Sequence, residues 1–149
     1  MKDQATALSD GLAMARMMKT VCKGYTSLYN QTLMPLGLTG VQCEVLMYLY
    51  QRPSEVMETD ELLHRMNISP AALSRTLTKL KQKGYVRYLP SEDRRKKHIS
   101  LTVKALEIEG QLTATLAHLE SRFFKRLSDA EYGEMLAIFN KLSQSMPGE

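Results

Sequence analysis

Apolar residues recur at three-and-four spacing between residues 8 and 33, and Met14, Met18, Val21, Tyr25 and Leu28 fall on one face of a single long amphipathic helix. Pro35 and Gly37 break that pattern. The next segment opens on Thr39-Gly40-Val41-Gln42. There Thr39 can cap the N3 amide while Gln42 reaches back to the Thr39 amide, a capping box that fixes where a second helix starts. Val41, Val45, Leu46 and Leu49 give that helix an inward face, and Pro53 lies beyond its end. A short third helix is expected over residues 60–66, with Thr59 as N-cap, Asp60 and Glu61 against the positive end of the dipole, and Leu62, Leu63 and Met66 inward. Asn67 suits a left-handed exit and Ile68 a buried position. Ser69 caps the following helix, and Pro70 stands at N1, where its missing N–H costs nothing. Two short helices across a tight turn make a helix-turn-helix.

In the second of these helices Leu73, Leu77 and Leu80 form the buried stripe, leaving Ala71, Ala72, Ser74, Arg75, Thr78 and Lys79 on the other faces. Gly84 ends it. Period-two alternation then takes over at residues 85–89 and 98–102, with Val86 and Tyr88 in the first run and Ile99 and Leu101 in the second, so a hairpin is expected around the basic turn at 90–97. Beyond it Ala105, Ile108, Leu112, Leu116, Leu119, Phe123 and Leu127 trace one helical stripe over about six turns. Ser128-Asp129-Ala130-Glu131 is a second capping box. It opens a last helix with Tyr132, Met135, Leu136, Phe139, Leu142 and Met146 inward, stopped by Pro147 and Gly148.

The fold class expected from this order is mainly α with a small β-hairpin wing (α+β), in a single domain of 149 residues. Residues 37–102 would form a winged helix-turn-helix lobe, and 5–34 and 103–146 long flanking helices. No other segment covers the apolar faces of the flanking helices. A two-fold homodimer burying Leu8, Leu12, Phe123, Leu127, Tyr132, Phe139, Leu142 and Met146 is therefore expected.

Charge sharpens this picture. The chain carries only +4 overall, yet residues 75–104 hold ten of the twenty Lys and Arg against two acids, Glu92 and Asp93. That stretch is +8 and the remainder −4. Such a field draws in phosphates and releases their counterions, although a charge block can also be only a solvated surface. Small residues in the first turn of a helix allow close approach to base edges, and an arginine one turn in, as Arg75 is, can reach guanine with two parallel hydrogen bonds.

Other functions find little support. There is no phosphate-cradling Gly loop, no Gly-x-Ser-x-Gly elbow and no clustered His, Asp and Ser, so no enzyme is expected. Cys22, Cys43, His64, His98 and His118 match no zinc spacing, so neither metal nor cofactor is expected. No apolar run reaches the roughly 18 residues that span a bilayer, so a cytoplasmic protein without a membrane partner is the expectation.

The helix ending LKQKGYV followed by EDRRKKHISLT resembles the winged helix-turn-helix of MarR-type bacterial transcription regulators, and PLGLTGVQCEVL resembles the entrance to that family's second helix. The resemblance implies a double-stranded DNA-binding regulator, commonly a repressor, that reads a pseudo-palindromic operator as a homodimer with half-sites about 10 base pairs apart. It implies that Ser74 and Arg75 touch bases or adjacent phosphates, with Ser69 and Pro70 beside the backbone at the helix start. Arg95 would enter the minor groove and Asp93 would hold the wing by pairing with an arginine. Arg94, Lys96 and Lys97 would grip phosphates, and Lys79 joins this DNA-facing set.

The family also binds small aromatic or amphipathic effectors in a cleft beside its dimerisation helices. Met14, Met17, Met18, Tyr25, Cys43 and Met47 are candidates for lining it, though methionine at helical spacing equally describes plain core. Two other readings stay open. One is oxidant sensing through Cys22, which lies nearer PLGLTG than the family's sensing cysteine usually does and has no evident partner residue. The other is a winged helix serving protein contacts, which would need no basic wing.

Overall fold

In the computed structural model, which describes residues 4–146, helix α1 (Gln4–Leu33) begins earlier than the apolar spacing marked. Most of it is exposed, and only its last turns settle inward, with Tyr25, Leu28 and Tyr29 half-buried and Leu33 fully buried. A single 3-10 turn (Met34–Leu36) follows, and Gly37 leaves it at φ 67°, a left-handed angle that glycine adopts without Cβ strain. Helix α2 (Gly40–Tyr50) opens with the expected capping box. The Gln42 amide donates to Thr39 Oγ1 at 3.3 Å and the Thr39 amide to Gln42 Oε1 at 3.2 Å.

Two expectations change at the next element. A strand absent from the sequence reading, β1 (Met57–Glu58), precedes helix α3 (Thr59–Met66), and the N-cap is Glu58 instead of Thr59. The cause is tertiary. The Thr59 amide donates to the Lys97 carbonyl at 3.0 Å, so the strand pairing carries straight into the first helical turn and no side-chain cap forms. Asn67 then adopts φ 50° as expected, Ile68 is half-buried, and Ser69 Oγ accepts from the Ala72 amide at 3.2 Å to start α4 (Pro70–Gln82). Ser69→Ala is expected to cost about 1 kcal/mol of stability, read as a lower urea midpoint.

Past Gly84 (φ 80°), strands β2 (Val86–Leu89) and β3 (His98–Leu101) pair antiparallel, and the sheet order is β1-β3-β2. Register sets Val86 opposite Leu101 and Tyr88 opposite Ile99. Thr102 closes the hairpin and opens the next helix together. Its hydroxyl donates to the Gly84 carbonyl at 2.5 Å and accepts from the Ala105 amide at 3.3 Å in the first turn of α5 (Val103–Phe124). The buried Tyr50 hydroxyl donates to the Ala105 carbonyl at 2.6 Å, and burial pushes its pKa up to about 12.

The chain divides into two compact units, Met1–Thr115 and Leu116–Glu149. The core of the first is built on Leu33, Val45, Leu46, Leu62, Leu73, Leu77, Leu80, Ile99 and Leu112, all fully buried. Each such side chain contributes about 1.5–3 kcal/mol relative to exposure. In the second unit the apolar stripe stops short of Leu127, because α5 ends at Phe124 and Leu127 sits exposed in the following turn. Helix α6 (Asp129–Gln144) has the second capping box, in which Ser128 Oγ accepts from the Glu131 amide at 3.2 Å and Glu131 Oε2 from the Ser128 amide at 2.8 Å. Those bonds to Ser128 hold the Glu131 carboxyl below its ordinary range.

Phe124 meets Phe123 and Tyr132 edge-on at 4.9 and 5.1 Å. Tyr132, Leu136, Phe139, Leu142 and Met146, expected inward, are exposed, and Met135 is half-buried. The stop at Pro147 and Gly148 lies outside the described residues. No single helix among the described residues is long and apolar enough to cross a membrane.

Candidate nucleic-acid interface

Because Leu73, Leu77 and Leu80 are buried, α4 turns Ala71, Ser74, Arg75, Thr78 and Lys79 to solvent, and Ser69 and Pro70 are exposed at its start. Its far end is tied down by Lys83, whose ammonium donates to the Gly37 carbonyl at 2.5 Å and to Gln42 Oε1 at 2.7 Å. This draws the α2 capping box and the end of α4 onto one cation. Helix α3 is held from the other side. Arg52 pairs with Glu61 and, at 3.3 Å, with Glu55, while Arg65 reaches Glu61 at 3.2 Å.

The wing turn is set by Asp93. Its Oδ1 accepts from the Arg95 amide at 2.9 Å and its carbonyl from the Lys96 amide at 3.0 Å, an Asx-turn that aspartate forms with its own backbone. Where a pairing with an arginine side chain was expected, Asp93 engages Arg95 through its main-chain amide, a bond that needs no long side chain to be ordered. Arg94, Arg95, Lys96 and Lys97 are all exposed. Lys96 is shared with β1, its ammonium lying 3.3 Å from Glu58 Oε2, and His98 Nε2 stands 3.5 Å from the other Glu58 oxygen. At such exposure these pairs contribute well under about 1 kcal/mol each and mainly bias the wing's orientation.

Tyr88 joins wing and helix. Lys81, in the last turn of α4, lies 5.1 Å from the ring centroid, and Lys97, on the returning arm of the wing, 5.9 Å. The ring offers each ammonium an attraction of about 0.5–1 kcal/mol while holding two like charges near one another. A cleft of about 210 Å³ beside it brings Pro70 and Ser74 of α4 together with Arg95 and Lys97 of the wing, with Thr59, Asp60 and Leu63 at its edge. A second concavity, about 320 Å³, lies along the wing and is lined by Tyr88, Ser91, Asp93, Arg94, Lys96 and Lys97. Arg75 and Lys79 line neither and stand on the open face of α4.

Sequence reasoning passed over Tyr88 and Lys81. The period-two alternation placed Tyr88 on the inner side of the hairpin, and that was the available signal. Tyr88→Leu is expected to leave the urea midpoint within about 1 kcal/mol of wild type but to weaken duplex binding several-fold, whereas Tyr88→Phe retains it. Equal binding by the Leu and Phe variants would show that the ring's charge distribution has no part.

The six residues proposed for an effector cleft are not gathered around either concavity. Met14, Met17 and Met18 are exposed on α1, Tyr25 and Met47 are half-buried, and Cys43 is fully buried. Burial pushes the pKa values of Tyr29 and Cys43 up. Cys22 is exposed. Among the described residues no three His, Cys, Asp or Glu side chains are grouped so as to hold a metal ion.

A helix-turn-helix with an exposed polar second helix, set beside a basic antiparallel hairpin, defines a winged helix-turn-helix protein. Residues 36–96 match the model of the MarR family. A cysteine-to-serine mutant of MarR from E. coli complexed with operator DNA superposes with a TM-score of 0.80 at 25% identity, over 89% of this chain and 95% of that one. Wild-type E. coli MarR in its apo form gives 0.67 at 26% identity, over 86% and 94%. AbsC from Streptomyces coelicolor shares the fold, with a TM-score of 0.81 at 23% identity over 89% and 91%. Residues 36–96 thus carry a MarR-type winged helix, and the chain as a whole is similar in fold to MarR-family transcription regulators.

Proposed function

We propose that this protein is a sequence-specific reader of double-stranded DNA that acts as a repressor in the cytoplasm, binding a pseudo-palindromic operator as a homodimer and released by a small aromatic or amphipathic effector. The observation that carries the reading is the cleft on which Pro70 and Ser74 of α4 meet Arg95 and Lys97 of the wing. A helix N-terminal half and a basic hairpin sharing one cleft suit a major groove and the minor groove next to it. The relative described with operator DNA is similar over nearly the whole of both chains, which supports the same use of this face.

In this reading Arg75 chooses bases from the open face of α4, with Ser74 beside it. Arg95 probes the minor groove, held in register by the Asp93 turn. Arg94, Lys96, Lys97 and Lys79 grip phosphates, and Ser69 and Pro70 bring the start of α4 to the backbone. The exposed apolar residues Leu8 and Leu12 of α1, and Tyr132, Phe139, Leu142 and Met146 at the C-terminal end, support a homodimer that covers them. Selection of bound duplexes from a random pool tests the whole reading. The expected product is a palindrome with half-sites about one helical turn apart; a pool that never enriches, or a single unrepeated half-site, would overturn it.

A further inference from the structure

On the reading proposed above, Ser74 and Arg75 meet DNA from the exposed side of α4, and Thr78 lies between them. At 3.6 residues per turn Thr78 stands about 40° from Ser74 and about 60° from Arg75 around the helix axis, on the side away from the buried Leu73, Leu77 and Leu80. It is exposed and uncharged, so it adds nothing to the basic field that draws a duplex in. What it can offer a base edge depends on how the two branches of its Cβ, a hydroxyl and a methyl, are used.

The Thr78 hydroxyl donates to the Ser74 carbonyl at 2.9 Å, one turn back along its own helix. A hydroxyl has one proton to give. With that proton engaged inside the helix, Thr78 has no donor for guanine N7 and O6, adenine N7 or thymine O4, the acceptors that bases present in the major groove. Its methyl group is available as it stands. The C5 methyl of thymine is the apolar mark in that groove, and a threonine methyl is one of the groups suited to contact it. Arg75 and Thr78 are separated by about 4.5 Å along the helix axis, against roughly 3.4 Å between successive bases.

We infer that Thr78 is a specificity-determining residue, its methyl group packing on the C5 methyl of a thymine within about one base step of the base that Arg75 contacts. Thr78 has this part only if α4 enters the major groove as proposed above, and it extends that reading from hydrogen-bonded base choice to an apolar contact.

The test replaces the thymines in one half-site of the selected duplex, one at a time, by deoxyuridine, which lacks only the methyl group and keeps every hydrogen-bonding atom. Binding is measured by fluorescence anisotropy for the wild-type full chain and for Thr78→Ser, Thr78→Val and Thr76→Ser. In wild type, one thymine of the half-site is expected to lose about fourfold in affinity on this exchange, the worth of one buried methyl-sized group. Thr78→Ser keeps the hydroxyl and drops the methyl, so it should bind the thymine duplex about fourfold less well and no longer distinguish thymine from uracil at that position. Thr78→Val drops the hydroxyl and keeps a methyl, so it should retain both affinity and discrimination. Thr76 donates to the Ala72 carbonyl at 2.8 Å in the same way, but it is half-buried and about 160° around the helix from Thr78, so Thr76→Ser should leave the discrimination unchanged. Position 78 is exposed, and both of its variants should keep the wild-type urea midpoint closely. A half-site in which no thymine exchange matters, a Thr78→Ser protein that still tells thymine from uracil, or a Thr78→Val protein that loses affinity, as an accepting hydroxyl would require, would each overturn the assignment. The two levels separate cleanly. A selected duplex that tolerates uracil at every position removes the role of Thr78 alone, whereas a wild-type protein for which no duplex can be selected removes the DNA reading and the role of Thr78 with it.

Discussion

Arg75→Ala is expected to weaken binding to the selected duplex by about 10- to 100-fold, the roughly 1–3 kcal/mol that a bidentate base contact supplies, with only a slight effect on a random duplex. Arg75 is exposed one turn into α4, on the side away from Leu73, Leu77 and Leu80, and among the described residues no carboxylate is paired with it. On the proposed reading its guanidinium would meet DNA without first breaking an internal ion pair. Lys97 differs in kind. It already leans towards the Tyr88 ring at 5.9 Å and is a point charge on a flexible stem, which on the proposed reading suits a phosphate contact that does not choose sequence. Lys97→Ala should lower affinity for selected and random duplexes alike and reduce the slope of log K against log salt by about one. Fluorescence anisotropy on both duplexes across a salt series checks both variants. Equal losses on the two duplexes for Arg75→Ala would make it another phosphate contact and move base choice elsewhere.

What the chain discloses by itself follows the range of each interaction. The caps at Thr39, Ser69 and Ser128 are written within four residues, and all three form as read. Strand β1 is two residues long and exists because Met57 and Glu58 meet Ile99 and His98 some forty positions later, so no local pattern announces it. Asp93 is instructive in another way. An aspartate two residues before the amide it accepts from is a local Asx motif, legible from the residues, whereas the resemblance alone suggested an arginine partner. The wing's coupling to α4 through Tyr88 was hidden, because Lys81 and Lys97 lie seven residues before and nine after it, and only the strand register returns them to one ring. Periodicity likewise found the apolar face of α6 but not what covers it; a repeat of 3.6 records that a face is apolar and nothing about its partner.

Gly40→Ala reverses the usual sign of its kind. Within helices that substitution commonly stabilises by about 0.4–1 kcal/mol, through a less flexible unfolded chain. Here a Cβ on Gly40 would stand 2.5 and 2.8 Å from two ring carbons of Tyr29 and 3.3 Å from Asn30 Oδ1. Asn30 Oδ1 also accepts from the Gly40 amide at 2.8 Å, so the end of α1 is bonded to the first turn of α2 at this very contact. Nor can the ring swing away cheaply. It is half-buried and stacks on Tyr25 with centroids 5.7 Å apart. The overlap must be relieved by separating the two helices, at an overpacking cost of about 1–3 kcal/mol that exceeds the entropic gain. Urea unfolding should show a lower midpoint with an unchanged slope. In a Tyr29→Ala background, where the obstructing ring is gone, the same change should become neutral or stabilising, a coupling large enough for a double-mutant cycle to resolve. A Gly40→Ala protein with a raised midpoint would mean that α1 meets α2 less closely than the Asn30 bond requires.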